Sequence, residues 1–120
     1  MMQVERVDFV SIPTRDLERA KRFYGTTLGL PSNSWSPGDF ETSNVTLELW
    51  EPEAQGEQFE PNRNGIALRV PDVEAAVAEL DLAGAEVMGV RDSGVCHMGF
   101  VKDPDGNVLI LHRRYAPYEG

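Results

Sequence analysis

A strand, a proline and a helix-capping aspartate occur twice in this chain in the same order, with strand and aspartate offset by 56 residues, Phe9 to Asp16 against Gly65 to Asp72. A repeat this long, seen only twice, points to two pseudo-symmetric modules rather than a solenoid. In the first copy Val7 to Ile12 reads as a strand, with Asp8, Val10 and Ile12 on one face and Val7, Phe9 and Ser11 on the other. Pro13 ends it, and Asp16 is a good helix N-cap. Leu17, Ala20, Phe23, Tyr24 and Leu28 follow at helical spacing, and Gly29 is placed to stop the helix. In the second copy Ile66, Leu68 and Val70 share one strand face, with Gly65, Ala67 and Arg69 on the other. Asp72 caps a helix striped by Val73, Ala76, Val77 and Leu80, which Gly84 ends.

Each copy then continues as strands. In the first, Pro37-Gly38-Asp39 signals a turn between two short strands about Trp35 and Phe40. Val45 to Trp50 is the next strand, with Leu47 and Leu49 on one face and Thr46, Glu48 and Trp50 on the other. In the second, strands are expected at Ala85 to Val90, Val95 to Val101 and Val108 to His112, the last two joined by the turn Asp103-Pro104-Asp105-Gly106-Asn107. Glu51 to Asn64 is polar and acidic, with two prolines and a glycine, and reads as a linker. The tail from Arg113 to Gly120 is expected to pack along the surface. The fold class is therefore α+β: two βαβββ modules, about 4–52 and 65–114, joined by a linker at about 53–64 within one domain spanning 1–120. Neither module can bury both faces of its sheet alone, so the modules are expected to pair.

Several function classes fall away on composition. The net charge of −9 repels phosphate backbones and anionic lipid, so neither nucleic acid nor a membrane is an expected partner. The same charge can attract a cationic ligand, although solubility alone accounts for it. No apolar run approaches the roughly 18 residues of a membrane span. No signal peptide is evident at Met1-Met2-Gln3-Val4-Glu5-Arg6, and a cytoplasmic location is expected. One cysteine, Cys96, excludes an intramolecular disulfide framework and a cysteine-based zinc cluster.

Three motifs together resemble the vicinal oxygen chelate superfamily, which contains glyoxalase I, bleomycin and fosfomycin resistance proteins and extradiol dioxygenases. They are Pro13-Thr14-Arg15-Asp16-Leu17-Glu18-Arg19-Ala20 running through Phe23-Tyr24 to Leu28-Gly29-Leu30, then Val70-Pro71-Asp72-Val73-Glu74-Ala75-Ala76, and Asp103-Pro104-Asp105-Gly106-Asn107. The resemblance spans nearly the whole chain. It implies paired modules whose sheets curve around a cavity with helices outside, and a homodimer. In metal-dependent members four cavity positions bind the ion, typically as His or Gln, Glu, His and Glu. They fall on Phe9, Glu48, Gly65 and Ile110 here, and only Glu48 can ligate. The resemblance thus implies a member without the family's metal site, and no cofactor is expected.

The strand faces agree with that mapping, because Phe9, Glu48, Gly65 and Ile110 all lie opposite the helix-facing aliphatics. The expected lining is Phe9, Ser11, Trp50, Arg69, His97 and Ile110 for ligand binding, with Glu48 and His112 as candidate catalytic groups. Glu48 can hold a cation, act as a base, or simply pair with Arg69. His112 can pair with Glu48 or stand near solvent beside Arg113 and Arg114. Cys96 and His97 are adjacent on a strand and point to opposite faces, and alternation does not say which of them faces the cavity. A metal held by Glu48, His97 and His112 would be an arrangement foreign to the family. Trp35 and Trp50 are candidates for stacking on a flat or cationic ligand. Two functions compete: a metal-free protein binding a small aromatic or cationic molecule, as the bleomycin-type resistance proteins do, and a lyase, isomerase or dioxygenase-type enzyme using Glu48 with His97 or His112.

Overall fold

The alternating strands assemble into two four-stranded mixed sheets of one topology. The computed structural model describes residues 1–118. The chain divides into two units, Met1–Glu60 and the part from Pro61 onward. In the first, β1 (Phe9–Pro13), α1 (Leu17–Arg22), β2 (Ser32–Asn33), β3 (Ser36–Glu41) and β4 (Thr46–Trp50) give the strand order β1-β4-β3-β2. In the second, β5 (Ile66–Arg69), α2 (Val73–Leu82), β6 (Glu86–Asp92), β7 (Cys96–Lys102) and β8 (Val108–Arg114) give β5-β8-β7-β6. The first strand of each unit runs parallel to the last, and the other pairings are antiparallel. This is the expected α+β class with two βαβββ modules.

Both helices start as the sequence predicts. Asp16 accepts a hydrogen bond from the Arg19 N–H at 3.1 Å, and Asp72 accepts one from the Ala75 N–H at 3.0 Å. Thr14, almost fully buried, braces the first cap by accepting from the Asp16 N–H at 3.0 Å. The first helix departs from expectation after Arg22. It widens into a π-helical turn over Phe23–Thr27, which carries Leu28 N–H to the Phe23 carbonyl at 2.8 Å. Gly25-Thr26-Thr27 are poor helix formers, and a Cβ at Gly25 would stand 3.0 Å from the Phe40 ring. Gly29 then takes a left-handed φ of 74°, as a helix stop requires.

Each helix covers one sheet face. Ile12, Phe40, Leu47 and Leu49 are buried on the first sheet, and Ala20, Phe23 and Tyr24 on the helical segment above it. Tyr24 stands edge-on to Phe23 at 5.1 Å and tilts against Phe40 at 6.4 Å. On the second sheet Val101, Leu109 and Leu111 are buried beneath Val73 and Leu80. Gly99 admits the helix there, because a Cβ at that position would overlap Val77 Cγ2 and lie 3.3 Å from Val73 Cγ1.

Two expectations need correcting. Pro37-Gly38-Asp39 lies inside β3, and the chain reverses at Ser34-Trp35 instead, where Asn33 Oδ1 accepts from the Trp35 N–H at 2.8 Å. Trp35 is therefore 94% exposed at a turn rather than in a strand. The acidic stretch after β4 is not a free linker. Pro52–Gln55 forms a 3₁₀ turn, and Phe59 is buried with the Arg15 guanidinium 4.6 Å above its ring. Arg15 also pairs with Glu53 at 3.7 Å. Further on, the Asn62 N–H donates to Asn107 Oδ1 at 2.8 Å and its carbonyl accepts from Val108 N–H at 2.8 Å. Asn107 is in turn held by buried Asp103, whose carboxylate accepts from the Asn107 N–H and side-chain amide at 2.9 and 2.8 Å. The Asp103–Asn107 turn thus fastens the incoming chain to β8. The tail follows β8 through Tyr115 and Ala116, whose N–H groups donate to the Val95 carbonyl. Its last residues, Glu119 and Gly120, lie outside the described residues.

Candidate functional site

Leu47 and Leu49 bury themselves under α1, so strand alternation turns Thr46, Glu48 and Trp50 to the sheet's open face. Register then sets their neighbours. Ser11 lies beside Glu48, and Asp39 lies opposite it. Phe9 lies beside Thr46, with Glu41 opposite. Phe9 is 51% exposed there. Glu41 is occupied by the Thr46 hydroxyl, which donates to it at 2.7 Å. Glu48 and Asp39 face each other across the strands, and neither takes part in an ion pair among the described residues. Asp39 Oδ1 is shielded from solvent and accepts no hydrogen bond among the described residues. Two unpaired carboxylates directly opposite across strands repel each other, which favours a cation between them.

At the end of that face a shallow groove of about 700 Å³ is lined by Ser11, Pro13, Trp50, Pro52, Glu57, Gln58 and Glu60. Its volume is in the range of small-molecule sites. Trp50 and Ser11 were expected here; the carboxylates Glu57 and Glu60 were not, because their segment reads as linker. The signal for them is Phe59, an isolated aromatic in a polar stretch, which anchors that segment to its own unit.

On the second sheet Leu109 and Leu111 face α2, which turns Ile110 and His112 to the open face. His112 stands in register with Arg69 on one side and Met98 on the other, and Met98 with Arg91. Ile110 stands between Ala67 and Phe100. Cys96 shares the face of Met98 and Phe100. His97 lies on the opposite face and does not join His112. Its Nε2 is 3.5 Å from Asp92 Oδ2, and its ring lies 4.6 Å from that of Tyr115. Asp92 also accepts from the Tyr115 hydroxyl at 2.7 Å and the Gly94 N–H at 2.8 Å. The Gly94 N–H, the Tyr115 hydroxyl and the His97 charge hold the Asp92 carboxyl below its ordinary pKa. The same hydrogen bond to Asp92, with some burial, raises that of Tyr115. The expectation that His97 lines the open face is therefore corrected: the alternation that buries Gly99 and Val101 under α2 carries His97 to the helix side.

The four positions of the family's metal site do not suit an ion. Phe9, Gly65 and Ile110 have no donor side chain, and Glu48 alone is a poor site for a transition metal. A ligand side chain at Gly65 would be strained, because φ there is +89° and its Cβ would stand 2.9 Å from Ile110 Cδ1, which would have to shift. Among the described residues no three His, Cys, Asp or Glu side chains gather as a metal group. No described helix is long and apolar enough to cross a membrane.

Comparison with known proteins adds to this geometry. The Glyoxalase/Bleomycin resistance protein/Dioxygenase superfamily profile matches residues 6–111. No curated protein matches by sequence. Among solved structures, TnmS3, an antibiotic binding protein from Streptomyces sp. CB03234, aligns with a TM-score of 0.74 and 26% identity over 95% of this chain and 99% of its own. A lactoylglutathione lyase from Agrobacterium tumefaciens aligns with a TM-score of 0.76 over 92% of this chain and 94% of its own, and at 16% identity it shares the fold alone. A glyoxalase/bleomycin resistance protein/dioxygenase from Nocardioides aligns at 0.72, with 21% identity over 99% of this chain and 93% of its own.

Proposed function

We propose, because this chain belongs to the Glyoxalase/Bleomycin resistance protein/Dioxygenase superfamily, that it binds a small aromatic or cationic molecule without a metal ion. The observation that carries this reading is the groove beside Trp50, with acidic Glu57 and Glu60 in its wall and the unpaired Glu48 and Asp39 on the adjoining face. An indole ring and carboxylates together suit a flat cation, by stacking and by charge. Phe9 and Ser11 extend the contact surface along β1. The antibiotic-binding relative supports a binding role of this kind.

The enzyme alternative, a lyase, isomerase or dioxygenase acting through Glu48, has less support. His97 is engaged with Asp92 and Tyr115, which leaves His112 as the histidine on an open face. Homodimer formation and a cytoplasmic location belong to the same proposal, and size-exclusion chromatography with light scattering tests the first of them.

The deciding experiment is calorimetric titration with cationic glycopeptides and aromatic ammonium compounds, read in parallel by tryptophan fluorescence. Binding is expected to quench Trp50, and Trp50→Ala and Glu48→Gln are each expected to weaken it at least ten-fold, about 1.4 kcal/mol. A panel that neither binds nor shifts the melting temperature would overturn the reading. One tight equivalent of Zn, Ni, Mn or Fe(II), lost in Glu48→Gln, would transfer support to the enzyme.

A further inference from the structure

The open face of the second sheet carries the opposite charge from that of the first. Register places Arg69, His112, Met98 and Arg91 in one row across β5, β8, β7 and β6, and Ala67, Ile110, Phe100 and Gly89 in the next. Two guanidinium groups and an imidazole therefore border an apolar floor of Ile110, Phe100 and Met98. The Arg91 guanidinium already lies over that floor, 5.6 Å from the Phe100 ring centroid. The only carboxylate that these four strands turn to this face is Glu86, and Lys102 takes it at 3.4 Å. Among the described residues neither Arg69 nor Arg91 is ion-paired. In a chain with 20 acidic and 11 basic residues, two unpaired arginines facing an apolar floor are not explained by composition.

We propose that this face binds a planar aromatic carboxylate, its ring on Ile110, Phe100 and Met98 and its carboxylate on Arg91 or Arg69. Guanidinium groups hold carboxylates through paired N–H donors, and one already stacked on a ring loses less freedom on binding. Three strand spacings separate the arginine backbones by roughly 14 Å, which leaves room for a two-ring ligand between the side chains. The inference rests on the reading that the open faces receive small molecules, but it concerns a different face and the opposite charge.

The test is calorimetric titration of the full chain with 2-naphthoate, with 2-naphthalenemethanol as the uncharged control. Naphthoate is expected to bind at submillimolar concentration and the alcohol at least ten-fold more weakly. Arg69→Gln/Arg91→Gln is expected to abolish that preference, while Trp50→Ala leaves it intact. Both arginines are exposed, so an unchanged melting temperature verifies that the double variant is folded. Equal binding of acid and alcohol, naphthoate binding that survives loss of both arginines, or loss of naphthoate binding in Trp50→Ala would each overturn the proposal. A failed cationic panel with intact naphthoate binding would remove the reading of the first face and leave this one standing.

Discussion

The first unit packs its helical segment on its sheet through aromatic rings, Phe23, Tyr24 and Phe40, whereas the second does so through aliphatic side chains and one missing side chain, at Gly99. The strand order is nonetheless the same. What the units share is the placement of strands, capping aspartates and helix-stopping glycines; how the core volume is filled differs freely. The open faces diverge further. One presents Asp39, Glu48 and Trp50, and the other Arg69, Arg91 and His112 over Ile110 and Phe100. Faces that carry no core are free to change sign without changing the topology.

If that comparison holds, the two cores should fail in different ways. Tyr24 is fully buried between Phe23 and Phe40. Tyr24→Ala is expected to cost about 3–5 kcal/mol by chemical denaturation, because it empties an aromatic site that its neighbours cannot refill. Gly99→Ala is expected to cost about 1–3 kcal/mol for the opposite reason, since the new methyl overlaps Val77. Adding Val77→Ala should recover part of that loss, and a double-mutant cycle measures how much. A Gly99→Ala variant as stable as the wild type would show that α2 yields easily, and the contrast between the cores would be weaker than the distances imply.

The sequence made the scaffold legible where local chemistry decides the outcome. Asp16 and Asp72 cap because a short carboxylate satisfies free helix N–H groups, and Gly29 and Gly84 stop helices because their φ values are 74° and 91°. Leu47 against Glu48 and Leu109 against Ile110 sort to the expected faces because strand alternation has a period of two. The failures lie where a residue's role depends on distant partners. Pro37-Gly38 is turn chemistry that the sheet overrides by pairing Asp39 with Glu48 and Phe40 with Leu47. Glu57 and Glu60 enter a groove only because Phe59 docks under Arg15, far away in sequence. His97 could be assigned to a face only once Gly99 was known to lie beneath Val77.

The smallest expected effect belongs to the β6–β7 end of the second unit. There the Gly94 N–H and the Tyr115 hydroxyl, with the His97 charge, stabilise the ionised Asp92 and lower its pKa from 3.8. A carboxyl that binds protons less tightly when folded contributes stability above its unfolded pKa and loses it as pH falls through the lower, folded value. Tyr115 works in the other direction. Its hydrogen bond to Asp92 raises its pKa from 10.0, so its contribution is complete below that value and is lost as pH rises through the higher, folded one. The contact should therefore be at full strength between roughly pH 5 and 9 and weaken at both extremes. Tyr115→Phe removes the hydroxyl while keeping the ring against His97. It should raise the Asp92 pKa measured by carboxyl-carbon NMR and flatten both limbs of the stability profile. Because the contact is exposed, the change in melting temperature should be small beside that of Gly99→Ala. An Asp92 pKa that does not move in Tyr115→Phe would assign its depression to the Gly94 N–H and His97 alone.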